Sequence, residues 1–252
     1  MSDGKGESSD TVQRLRRVRV VLVETSHPGN IGAVARAMKT MALSQLHLVS
    51  PGMFPNAQAT ARAAGADDLL HHAEVHDCLD SALADCSYVV ATTARSRHLQ
   101  WPLLIPSDCA ERVALETTSG QAAIVFGRES SGLTNAELER CHAVVNIPSN
   151  PSFSSLNIAS AVQILCYEIA LALKAPVTAL ASSPDDPITS AELEGFYEHL
   201  RQTLVEIGYL DEAAPKLLMR RLRRLFSRTD LERAELNILR GILSAVQKRP
   251  SD

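Results

Sequence analysis

The sequence predicts an α/β fold built on a mostly parallel sheet, followed by a small all-helical extension. Three observations lead there. Short β-branched runs alternate with stretches of helical periodicity through residue 174. Those runs are apolar at nearly every position rather than every second one, the pattern of strands covered on both faces. Beyond "APVTALASSPDDPITS" the strand-like runs stop and helix-start signals recur.

Each element follows from its residues. "MSDGKGESSD" is polar and Gly/Ser-rich, so residues 1–17 read as a disordered lead. "VRVVLVE" makes residues 18–24 the first strand. The turn that follows opens a helix over 31–42, with Ile31, Val34, Ala35 and Met38 on one side. Arg36 and Lys39, three residues apart, share another face. Residues 46–49 are a strand, 57–64 a helix, 74–76 a weak strand and 79–83 a short helix. Strands follow at 88–92, 122–126 and 143–147. The helix at 134–141 opens on a capping box, Thr134 with Glu137. A longer helix covers 155–174, for which Ser154 and Ser155 are candidate N-caps. Asn157, a mediocre helix former, then reads as a polar group aimed at something else. Residues 18–174 form one domain, 175–188 a linker, and 189–252 a helical extension. In the extension Thr189/Glu192 and Thr229/Glu232 are further capping boxes. Leu218, Leu222 and Leu225, then Ile238, Ile242 and Val246, keep helical spacing.

Composition narrows the function. The 252 residues are 45% hydrophobic and 21% charged, which suits a folded core, and the net charge of −4 excludes a globally basic nucleic-acid binder. Aromatics at 4% weaken any reading based on stacked bases. Cys78, Cys86, Cys109, Cys141 and Cys166 are odd in number and form no C-x-x-C pair, which points to a reducing cytoplasm. No apolar run reaches membrane-spanning length, and no signal-peptide core precedes the first strand.

The chemistry concentrates in three turns. "HPGNIGAVARAM" is neither a Walker loop, which needs Gly-Lys-Ser/Thr, nor a Rossmann fingerprint, which needs three glycines and an acidic residue ending the second strand. That missing carboxylate argues against a nicotinamide dehydrogenase. "VFGRESSGL" places Gly127 and Glu129 at a strand end, where parallel sheets bind ligands. "NPSFSSLNIASAVQ" follows the next strand. A general-base reading of His27 lacks a carboxylate partner, and His71, His72 and His76 lack the remaining ligands of a zinc site, so no metal is expected.

Taken in order, the three turns resemble the three motifs of the SPOUT methyltransferases. Their TrmH-like 2′-O-ribose branch is the most similar, above all the members that act on cytidine and uridine of tRNA. The resemblance is strong over residues 19–174 and loose beyond. It implies an S-adenosyl-L-methionine-dependent homodimer with a trefoil knot near the end of the catalytic domain. By the same resemblance Thr92, Thr93, Ala94, Gly127, Ile147, Ser154, Ser155 and Leu156 would wrap the cofactor. Arg36 would clamp a phosphate beside the target ribose, since a guanidinium does not readily act as a base. Ser155 would orient or relay the hydroxyl proton, and Asn30, Glu129 and Asn157 would shape the site. Glu129 would anchor Arg36 or a backbone N–H. The implied substrate is tRNA at nucleotide 32 of the anticodon loop. Ribosomal RNA, or a non-catalytic RNA-binding module on the same fold, are the alternatives. Lys39 and the basic cluster Lys216, Arg220, Arg221, Arg223, Arg224 and Arg228 are candidate RNA contacts in an otherwise acidic chain.

Overall fold

The computed structural model describes residues 9–94, 101–175, 186–213 and 217–248. Its strands are β1 Val18–Val23, β2 Gln45–Val49, β3 Glu74–His76, β4 Cys86–Thr92, β5 Leu103–Leu104, β6 Gln121–Phe126 and β7 Ala143–Val145. They form one sheet in the order β3-β2-β1-β6-β4-β7-β5, with every pairing parallel. The helices are α1 Ser9–Leu15, α2 Pro28–Thr40, α3 Ala57–Ala63, α4 Asp67–His71, α5 Leu79–Leu83, α6 Pro106–Glu116, α7 Asn135–Leu138 and α8 Ile158–Lys174. Beyond them lie α9 Ser190–Glu206, α10 Leu218–Phe226 and α11 Arg233–Gln247.

The apolar strands are covered twice, as their composition requires. Val20, Leu22, Leu48 and Ile124 face a core completed by Ile31 and Met38 of α2, Val113 of α6 and Val162 and Leu165 of α8. Their neighbours Val21, Val23, Val89 and Val125 point the other way, against Leu79 and Leu83 of α5 and Leu138 of α7. Each such side chain, fully buried, contributes about 1.5–3 kcal/mol. Gly32 is a packing residue, because a Cβ there would stand 2.0 Å from the Ala59 carbonyl oxygen of α3.

Several expectations are corrected. The supposed lead is ordered from Ser9: Leu15 is buried, Arg14 donates to the Ala114 carbonyl, and Arg17 donates to Thr117 and Thr118. Two basic side chains thus satisfy the carbonyls that end α6, the standard answer to an open helix C-terminus. Strand β5 and helices α4 and α6 were not foreseen. β5 has only two residues, too short for a periodicity. The boxes at Thr134 and Thr189 are formed, but α11 is capped by Glu232 with Glu235, while the Thr229 hydroxyl donates to Phe226. Ile238 and Ile242 lie on the exposed side of α11; Leu236 and Leu243 are its buried pair, packed with Phe196 and Tyr197 of α9.

The helical extension is docked on the catalytic domain. Ser190 and Ala191 donate to the carbonyls of Cys86 and Ala84, and Arg112 of α6 pairs with Asp230 at 2.6 Å. His142, just before β7, accepts from Val89 N–H at 3.0 Å and lines the crevice that Phe226 and Asp230 close.

Candidate active site

The exits of β6, β4 and β7 open into a cleft of about 510 Å³, within the range of small-molecule sites. Local bonds hold the three exits together. Thr92 Oγ1 donates to the Val125 carbonyl at 3.1 Å, Thr93 N–H to Val145 at 3.1 Å, and Asn146 Nδ2 to Thr93 at 2.8 Å. All eight residues expected around the cofactor line this cleft: Thr92, Thr93, Ala94, Gly127, Ile147, Ser154, Ser155 and Leu156. Asn30, Glu129 and Asn157 line it too, so residues from all three turns converge.

Their convergence is built by one chain of hydrogen bonds. Asn157 Nδ2 donates to Asn30 Oδ1 at 3.2 Å, and Asn30 Nδ2 donates to Glu129 Oε1 at 3.0 Å. The Glu129 carboxylate also accepts from Ser26 N–H, the Ser26 hydroxyl and His27 N–H. It therefore lies over the N-terminus of α2, where orphan N–H groups and the helix dipole favour a negative charge. The anion held by the first turn is the protein's own. Of the two anchors expected for Glu129 the backbone is the real one; Arg36 makes no bond to it. Burial alone would push the Glu129 carboxyl up, but the bonds from Asn30, Ser26 and His27 outweigh it and hold it below the usual carboxylate range.

Asn157 is explained differently from the expectation. It is itself the N-cap of α8, its Oδ1 accepting from Ala159 N–H at 2.9 Å, while its amide reaches Asn30. Ser154 and Ser155 stay in the exposed loop ahead of it. Gly127 also changes its meaning. A Cβ there would stand 2.3 Å from the Gly132 carbonyl carbon and 2.4 Å from Leu133 N, so its own loop demands the glycine before any ligand does.

Arg128 was missed. Its guanidinium joins Glu24, at the exit of β1, to Glu137 of α7 and the Gly132 carbonyl, which fixes both ends of the loop that carries Glu129. The acidic pair lies 104 and 9 residues away, and only Glu137, inside a capping box, offers a local signal.

Arg36 is exposed on α2, does not line the cleft and makes no ion pair with a described residue. Lys39 does: it holds Asp68 at 2.7 Å and the Gly65 carbonyl. The basic cluster is split in a way its leucines did not suggest. Arg220 pairs with Glu139, Arg223 pairs with Glu194 and lies over the Tyr197 ring, and Arg224 is partly buried, its Nε without a partner. Arg221 and Arg228 face solvent, as do Leu217 and Leu225 at 41% and 45% exposure. So the arginines of α10 serve docking as much as display, and Arg220 is not a free phosphate contact. Lys216 lies outside the described residues. His27 is exposed with only its backbone engaged by Glu129. His76, in contrast, has found partners on the neighbouring strand and its own, His47 and Glu74.

Residues 17–167 match the model of the SpoU rRNA Methylase family, and residues 191–252 match that of the C-terminal domain of the tRNA methyltransferase TrmJ. The chain is 51% identical over 247 residues to the tRNA (cytidine/uridine/adenosine-2′-O-)-methyltransferase TrmJ of Pseudomonas aeruginosa, covering 93% of this chain and 95% of that one. It is 53% identical over 238 residues to the tRNA (cytidine/uridine-2′-O-)-methyltransferase TrmJ of Pectobacterium atrosepticum, covering 93% and 98%. The crystal structure of TrmJ from Z. mobilis superimposes with a TM-score of 0.79 at 33% identity, over 91% of this chain and 99% of that one.

Proposed function

The chain belongs to the SpoU rRNA methylase family, in the branch of the TrmJ tRNA methyltransferases, and from that premise we propose that it methylates a ribose 2′-hydroxyl of tRNA at nucleotide 32 of the anticodon loop. The observation that carries the reading is the cleft in which Asn30, Glu129 and Asn157 from three separate turns are hydrogen-bonded to one another. The residues fit S-adenosyl-L-methionine. Phe126, Val145, Ile147 and Leu156 give an apolar slot for an adenine, and the hydroxyls of Thr92, Thr93, Ser154 and Ser155 surround it. When bound, that cofactor supplies an electrophilic methyl group.

The protein's own work is positioning. Asn30, locked between Glu129 and Asn157, holds the α2 N-terminus against the cleft. Arg36, free of ion-pair partners among the described residues, binds the phosphate next to the target ribose and stabilises negative charge developing on the 2′-oxygen. Ser155, an exposed hydroxyl on the cleft wall, orients the attacking hydroxyl or passes its proton on. Lys39, Arg221 and Arg224 contact the tRNA backbone, Lys39 at the expense of its bond to Asp68. The family's trefoil knot is part of the proposal. It is supported by the strand order, in which β7, the last strand of the chain, is inserted between β4 and β5.

A homodimer is proposed from Tyr167 and Leu171, one turn apart on α8, and from Phe153 before it, which are 53%, 54% and 80% exposed. A cytoplasmic site of action accords with five cysteines all free. No described helix is long and apolar enough to cross a membrane.

Transfer of labelled methyl from adenosylmethionine to total tRNA, followed by mapping of the modified nucleotide, tests the reading. Label at the ribose of nucleotide 32 is expected; label only at another nucleotide, or none, overturns it. The two relatives differ in whether adenosine is named with cytidine and uridine, and the same map reads the base preference. Arg36→Ala should remove most turnover with cofactor affinity kept, and Arg36→Lys should restore only part, because an ammonium lacks the planar fork. Calorimetry showing that Arg36→Ala no longer binds cofactor would reject the phosphate role.

A further inference from the structure

The sheet edge farthest from the cleft carries a cluster that the proposed reaction leaves unused. His47 of β2 is 1% exposed, yet it sits among the buried apolar residues Leu46, Leu48 and Val49 of its strand. Its partners come from β3. His47 stands in register with Glu74 and Val49 with His76. His47 Nδ1 lies 2.8 Å from His76 Nε2, and Glu74 Oε2 lies 3.8 Å and 3.9 Å from those two nitrogens. We propose that His47, Glu74 and His76 form a binding site for one divalent transition-metal ion, of the zinc type.

Four observations carry the proposal. The donor set, two imidazoles and a carboxylate, is one that zinc takes with a water in the remaining position. The spacing also fits: a point equidistant from the three donor atoms lies about 2.1 Å from each, the length of a Zn–N or Zn–O bond. The neighbouring cation is already balanced, since Arg19 forms two bonds to Asp85 and donates to the Ala82 carbonyl. Finally, an entry path exists, because Glu74 is 62% exposed while His47 is enclosed.

Without an ion the two nitrogens share a hydrogen bond, their ring centroids 5.1 Å apart. Binding turns each ring so that both lone pairs aim at the ion. The shared proton moves to the far nitrogen of the donor ring, so no net proton is released. The His47 Nε2 atom is buried without a partner, and a donor ring at His76, closer to water, avoids adding to that cost.

The role of such an ion is to fasten an edge. β3 has three residues, pairs only with β2, and leaves Val75 56% exposed. An ion bridging β2 to β3 adds what three ladder residues lack. The site lies on the side of the sheet away from β4, β6 and β7, so methyl transfer does not depend on it.

The test is calorimetric titration of Zn²⁺ alone into the full-length chain after chelator treatment and its removal. One ion per chain is expected, with a higher thermal midpoint and, for Co²⁺ in its place, a visible absorption band. Glu74→Gln and His76→Gln should each weaken binding at least about tenfold. The double variant His71→Gln/His72→Gln and the single variant Cys78→Ser, which alter nearby metal-capable side chains outside the triad, should bind as the unaltered chain does. Glu74 is exposed, so its variant tests the site without disturbing the core. Absence of binding, equal binding by the Glu74→Gln and His76→Gln proteins and the unaltered chain, or binding abolished only in Cys78→Ser overturns the proposal.

Discussion

Glu129 shows how a residue chosen for its chemistry becomes a structural anion. Its carboxylate satisfies Ser26 and His27 N–H and orients Asn30, so replacing it by glutamine removes the charge but keeps the shape. Glu129→Gln should lower stability by about 1 kcal/mol, the scale of a charge at a helix end, and should cost more in turnover than in thermal midpoint. Because the carboxyl is held below its ordinary range in the folded state, its stabilising effect is present above the ordinary carboxylate pKa. It disappears as pH falls through the lowered value. Activity and melting curves of the variant against the parent across that interval check the sign. Gly127→Ala is the companion case. The added methyl meets the backbone of Gly132 and Leu133, and overpacking of that kind costs about 1–3 kcal/mol. Calorimetry should show weakened cofactor affinity while the circular-dichroism spectrum of the sheet persists. Which residues meet in the cleft was legible in the three turns, since ligand sites follow strand exits. How they hold one another was not. Asn157 had to be seen beside Asn30, 127 residues away, before its place as both cap and clasp made sense, and Arg128 waited on Glu24 for the same reason.

At the scale of elements, the strands and their order along the chain could be read wherever the apolar run exceeded three residues. β5, with two, could not. Helices α4 and α6 lie in stretches whose patterns read as connections. α10 is the instructive error. Its arginines and leucines alternate so that either could face inward, and only the acidic residues Glu139 and Glu194 opposite decide it. From this division two variants should behave differently. Arg221→Glu, on the solvent side, should weaken tRNA binding and reduce the salt slope by about one unit for each phosphate no longer neutralised, with no change in melting. Arg223→Glu sets a like charge against Glu194 and removes the cation from the Tyr197 ring; limited proteolysis should then release the extension at lower protease than in the parent chain.

At the scale of the molecule, the extension and the catalytic domain share a half-buried titrating group. His142 is brought down to about 4, first by burial, with Arg112 adding to it. A histidine kept neutral on folding contributes fully above its ordinary pKa and progressively less as pH falls towards the lowered one. The loss is at most about 1.4 kcal/mol per pH unit. Denaturant titrations between pH 7 and 5 should show it, and His142→Gln, which can still accept from Val89 N–H, should flatten it. The strand order has another consequence, one for biosynthesis. β7 is made last of the seven strands yet occupies an interior place, between β4 and β5. Until residue 145 has left the ribosome, the nascent chain holds β4 with one ladder edge open, and its Val89, Val90 and Ala91 are all apolar. Open apolar edges template aggregation. A chain stopped at residue 142 should accordingly accumulate in inclusion bodies, whereas one stopped at 175, with β7 and α8 in place, should stay in the supernatant.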